Sequence, residues 1–121
     1  MANRDLDQQR AAFAWECAEE GKESKAYANL TKSAPALIMN NGLMQTLAFY
    51  KQKGKAEHSF ILDHICRWLA KQGFAEMGQA DFQRVMKKLH SGDSLTYRRA
   101  TEEALAFLKW LRQFASALAD K

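Results

Sequence analysis

The sequence predicts an all-α fold: one domain over residues 1–121, with about six helices in a compact bundle and a long C-terminal helix. Three observations carry this reading. Apolar residues recur at three- and four-residue spacing almost throughout, and no segment alternates with the period of two that marks a half-buried strand. Turn formers are scarce, since one proline and six scattered glycines are too few for the reversals of an all-β chain. A hydrophobic content of 47% over 121 residues can fill a core without metal or disulfide staples, and it argues against disorder.

Each element has its own signals. The first helix is expected from Leu6 to about Glu20, with Asp5 as N-cap and Gly21 as stop, burying Leu6, Phe13, Ala14 and Cys17. A second covers about Glu23 to Thr31, with Ala26, Tyr27 and Leu30 inward. There follows an uncharged window, Ser33 to Tyr50. Ser33 reads as a new N-cap and Pro35 as a first-turn residue, where its missing N–H costs nothing. That short helix closes at Asn41-Gly42. The next runs from Leu43 to about Lys53 and is apolar around most of its circumference, which places it centrally. Gly54 ends it. A helix from about Glu57 to Gln72 buries Ile61, Ile65, Trp68 and Leu69, and a short one from about Ala80 to His90 buries Phe82, Val85, Met86 and Leu89. Asp93 caps the last, Ser94 to about Ala119, whose apolar residues form two adjacent stripes suited to the spine of a bundle.

The uncharged window is too interrupted to cross a membrane, with Pro35, Asn40-Asn41-Gly42 and Gln45-Thr46 inside it. The opening residues MANRDLDQQR lack the basic-then-apolar order of a signal peptide, so a cytoplasmic location is expected. Cys17 and Cys66 sit in apolar helical patterns without CxxC spacing and read as buried reduced thiols.

Catalytic constellations are missing. There is no glycine-rich phosphate loop and no GxSxG. His58 and His64 are six residues apart and point in different directions on a helix, as do His64 and Cys66, so the histidines read as surface or capping groups. Arg98 and Arg99 precede Glu102 and Glu103 by four residues, the spacing of surface ion pairs. The expectation is therefore no enzyme, no metal, no cofactor and no small-molecule substrate; a small hydrolase built on His58, His64 and His90 is the disfavoured alternative.

Charge points to binding instead. The net charge is +4, unevenly spread. Residues 1–23 hold Arg4, Arg10 and Lys22 against Asp5, Asp7, Glu16, Glu19, Glu20 and Glu23, and the basic excess lies in the rest. Its clusters are Lys51/Lys53/Lys55, Arg67/Lys71, Arg84/Lys87/Lys88 and Arg98/Arg99. Lysine and arginine on helix rims grip phosphate without reading sequence. A solvated surface on an adaptor bundle that meets only proteins remains the alternative.

The stretch APALIMNNGLMQTLAFYKQKG, Ala34–Gly54, resembles the signature of the small helical subunit of type III-B CRISPR effector complexes, the Cmr complex. The matching residues are Pro35, Ala36, Leu37, Ile38, Asn41, Gly42, Leu43, Gln45, Thr46, Leu47, Ala48 and Phe49. YRRATEEALAFLKWLRQFA (Tyr97–Ala115) resembles that family's C-terminal helix, and RAAFAWE and HICRWL resemble its other helices; Gly73–Gly92 adds little. The resemblance implies an all-α, non-catalytic subunit of an antiviral RNA-guided machine. It also implies copies stacked head-to-tail, other Cmr subunits as partners, and a basic surface that helps hold guide RNA and target RNA. The basic residues beside the matched segments are Lys51, Lys53, Arg67, Lys71, Arg98, Arg99, Lys109 and Arg112.

Overall fold

The computed structural model describes residues 4–119. Six α-helices make up most of them: α1 (Leu6–Glu20), α2 (Lys25–Asn41), α3 (Leu43–Lys53), α4 (Ala56–Lys71), α5 (Phe82–Ser91) and α6 (Ser94–Ala119). A 3-10 turn at Glu76–Gly78 lies between α4 and α5, and no strand occurs among the described residues. As the apolar stripes require, α6 is the spine. It packs along α1 and α2 and buries Ala100, Ala104, Phe107, Leu108, Leu111 and Ala115. The alanines let the neighbouring backbones approach, while the larger residues fill the space between them. Helix α4 forms a second wall, touching α2, α3, α5 and α6. At the centre the rings of Phe13, Trp68 and Phe107 lie 5.7–5.8 Å apart and join α1, α4 and α6.

The caps follow local chemistry. Asp5 accepts the Gln8 backbone N–H at 2.7 Å while the Gln8 side chain accepts the Asp5 N–H at 3.0 Å, a reciprocal capping box. Asp93 accepts the Thr96 N–H at 2.8 Å and starts α6 where expected. Asp81 does the same for Arg84, so α5 begins at Phe82 rather than Ala80.

Helices α2 and α3 fold over Gly42, as the sequence suggests. Gly42 has φ +91°, and a Cβ there would lie 3.1 Å from the Tyr97 hydroxyl. That hydroxyl accepts the Met44 N–H at 3.1 Å, so the start of α6 fixes the corner. This satisfies one of the orphan donors at the α3 N-terminus, where no side-chain cap exists.

Two expectations about the chain's second quarter are overturned. Ser33 is no N-cap, and α2 is one helix from Lys25 to Asn41 with Ser24 as its cap and Pro35 inside. An interior proline costs about 3 kcal/mol. Burial of Tyr27, Ala28, Thr31, Ala34 and Ile38 on one continuous face offsets that cost. Ser33 instead turns its hydroxyl back to the Leu30 carbonyl. Leu6 and Ala26 are exposed, because the inward stripes start at Phe13 and Tyr27.

Candidate nucleic-acid interface

The predicted basic residues lie on three helices and in four separate places. Lys51 and Lys53 stand exposed in the last turn of α3, where cations also suit the helix dipole. Lys53 Nζ lies 5.9 Å from the Phe49 ring centroid, and Lys51 Nζ lies 5.9 Å from that of Phe82 on α5. Arg67 and Lys71, one turn apart on α4, flank the Phe13 ring at 5.6 and 5.2 Å. On α6, Arg98, Lys109 and Arg112 are all exposed. Lys109 and Arg112 follow Arg98 by about three and four helical turns, so the three share the helix's outer face. Arg99 is also exposed but lines a different groove, with Arg10, Phe74 and Glu103.

Arg67 differs from the rest. Its guanidinium contacts Glu20 at 2.8 Å and Asp63 at 3.0 Å. Two carboxylates already neutralise it, which makes it a brace between α1 and α4. No carboxylate pairs with Lys51, Lys53, Lys71, Arg98, Arg99, Lys109 or Arg112 among the described residues.

The expected surface pairs between Arg98/Arg99 and Glu102/Glu103 do not form. Glu103 turns to α1, where Arg10 donates to its two oxygens at 2.6 and 2.9 Å, and Trp68 Nε1 donates at 3.0 Å. The Glu103 side chain is only 11% exposed. The hydrogen bond from Arg10 holds its carboxyl below the usual range, overcoming the opposing effect of burial. Sequence separation of 93 residues hid this strut. Its local signal was a carboxylate three and four residues from Ala100 and Phe107, both core positions.

Two of the three histidines are not surface groups either, and only His90 is exposed. His58 is buried, and His64 is fully enclosed. His64 Nε2 lies 2.8 Å from Glu20 Oε1, and its Nδ1 lies 2.7 Å from the Tyr27 hydroxyl. Burial pushes the His64 pKa down, and the His64 bond pulls that of Glu20 down. Together these describe a neutral imidazole that donates from Nε2 to an ionised Glu20 and accepts at Nδ1 from Tyr27. The network ties α1, α2 and α4 together beneath Arg67. Cys17 and Cys66 are buried and reduced, with burial pushing each thiol up to about 12, so neither is a nucleophile at neutral pH.

Free cations on the rims make a surface that can grip a polyanion. Comparisons bear on what that surface serves. A family model described as CRISPR-associated protein (Cas_Cmr5) matches residues 6–118. A protein of Thermus thermophilus named CRISPR system Cmr subunit Cmr5 is 28% identical over 104 residues, covering 86% of this chain and 84% of that one. A protein of the same name from Thermotoga maritima is 28% identical over 120 residues, covering 98% and 88%. The crystal structure of a CRISPR-associated Cmr5 family protein from Thermus thermophilus superposes with a TM-score of 0.79 at 28% identity, over 96% of this chain and 98% of that one.

Proposed function

The chain belongs to the Cas_Cmr5 family of CRISPR-associated proteins, and from that premise we propose that it is the non-catalytic small subunit of a type III-B Cmr effector complex. Its role is to support guide RNA and target RNA through a basic surface that does not read sequence, in antiviral defence within the cytoplasm. The observation that carries this reading is the outer face of α6, where Arg98, Lys109 and Arg112 stand exposed without carboxylate partners among the described residues. Lys51 and Lys53 add a second free cluster at the end of α3, and Lys71 and Arg99 contribute singly. In a guide-directed machine base pairing reads the sequence, so a supporting protein needs only shape and phosphate contacts.

Several copies stack head-to-tail along the RNA. Such contacts join unlike surfaces and do not close by twofold symmetry. Asp5 at the N-cap of α1 and Asp7, Trp15, Glu16 and Glu19 within it are exposed, and this acidic element opposes in charge the basic rims of α3 and α6. Repetition then raises a weak contact per copy to a useful affinity.

The test is charge reversal in a reconstituted complex. Arg98, Lys109 and Arg112 are each changed to Glu, and assembly and target-RNA binding are measured. Retained assembly with weakened RNA binding is the expected result. Unchanged assembly and unchanged binding would overturn the site and favour an adaptor bundle that contacts proteins alone.

A further inference from the structure

The corner between α2 and α3 holds a cleft of about 560 Å³ that the phosphate-gripping role leaves unused. Its walls are Leu37, Asn40 and Asn41 from α2 and Gln45, Thr46 and Phe49 from α3. The volume falls within the range of small-ligand sites. No ionisable side chain lines it, so a ligand group entering it must itself be uncharged.

The polar groups in the cleft have a definite character. Three are carboxamides, each with a donor and an acceptor, and all three are exposed. None is hydrogen-bonded to another side chain or backbone group through its amide among the described residues. Thr46 is already occupied, since its hydroxyl donates to the Gly42 carbonyl at 2.9 Å. The apolar side of the cleft is Leu37 and the Phe49 ring, which is 41% exposed. Lys53 Nζ, in the last turn of α3, stands 5.9 Å from that ring centroid.

We propose that this cleft is a nucleobase pocket, taking an unpaired base whose attached phosphate lies on Lys53 at the end of α3. The inference rests on the RNA-binding reading above and adds a ligand site to it. Bases splayed from a single strand stack on aromatic rings and offer alternating donors and acceptors along their edges, which carboxamides match. A lysine beside an exposed aromatic ring is also the pairing that single-strand binders use. An apolar helix docked in the same cleft would bury three carboxamides without partners and leave Lys53 unmatched. The uncharged lining and the charged rim therefore suit one ligand with an uncharged aromatic part and an anionic part.

The experiment is an NMR titration of the full chain, following the side-chain NH₂ signals of Asn40, Asn41 and Gln45 and the Phe49 ring. The probes are a single-stranded oligoribonucleotide, nucleoside monophosphates and ribose 5-phosphate. Base-bearing probes are expected to shift the corner signals, while ribose 5-phosphate leaves them in place. Gln45→Leu is expected to weaken the base-bearing probes about tenfold, as removal of one well-placed partner for a base edge does. A stronger response to the oligoribonucleotide than to the monophosphates assigns the base to an RNA strand; equal responses assign it to a free nucleotide. Shifts confined to the backbone around Lys51 and Lys53 would overturn the pocket while leaving phosphate binding intact. Corner signals that move only with protein concentration would overturn it in favour of contact between copies. No shift anywhere, even with the oligoribonucleotide, would overturn both the pocket and the RNA-binding reading.

Discussion

The α1–α4 side of the molecule and the rims of α3 and α6 use the same residue types for opposite ends. On the α1–α4 side, Arg10 is bonded to Glu103, and Arg67 to Glu20 and Asp63. On the rims, Lys53, Arg98, Lys109 and Arg112 have no such partners among the described residues. A bonded cation braces helices and has little left to offer a phosphate. An unpaired one adds little to stability and keeps its donors for a ligand. Position relative to carboxylates on other helices decides between these roles, and residue type does not.

That contrast can be broken first at its most buried point. Glu103→Ala leaves the Trp68 N–H without its acceptor and Arg10 with Asp7, 3.2 Å away, as its remaining carboxylate, and is expected to cost about 2 kcal/mol. Urea unfolding reads this directly; a loss below about 1 kcal/mol would mean that the strut is incidental. Glu103→Gln should cost less, because an amide oxygen still accepts from Trp68.

Acid should act next on the same side. His64 is held neutral by burial, so its folded pKa lies below the ordinary 6.5. The unfolded chain then takes up a proton that the folded chain does not as pH falls below about 6.5. Stability declines there by at most about 1.4 kcal/mol per pH unit, until the folded pKa is passed. Glu20 and Glu103, depressed from 4.5, add a further loss below about that pH. Stability measured against pH in His64→Gln should lack the first decline and keep the second.

Smaller effects follow. Tyr97→Phe removes the acceptor for Met44 N–H at the corner and is expected to cost about 1 kcal/mol in thermal or urea unfolding. Lys53→Glu should change stability by no more than about 0.5 kcal/mol. A larger loss would place Lys53 among the braces.

The helices are legible where local signals act alone. Asp5 and Asp93 mark their N-termini, Gly42 marks the corner, and the double apolar stripe marks α6 as the spine. Pro35 misleads because the burial of α2's inner face outweighs a local propensity, and only the tertiary structure reveals that face. The Arg98/Arg99–Glu102/Glu103 set misleads because neighbours on the same helix suggest the partners, while Arg10 reaches Glu103 from α1. Glu20, which also comes from α1, is the partner of Arg67 that spacing along α4 does not show. His64 misleads likewise, since its partners Tyr27 and Glu20 lie 37 and 44 residues away. Exposure of Lys51, Lys53, Lys109 and Arg112 is legible, because the apolar periodicity of α3 and α6 leaves those positions outward.

The central claim is that the unpaired rim cations grip RNA phosphate and the paired ones do not. It is tested most directly by the salt dependence of target-RNA affinity in the reconstituted complex, comparing the wild-type chain with an Arg98→Ala, Lys109→Ala, Arg112→Ala variant. The account predicts a shallower fall of log affinity with log salt in the variant, by roughly 0.7–0.9 for each phosphate that the variant no longer neutralises. Identical slopes for the two chains would contradict it.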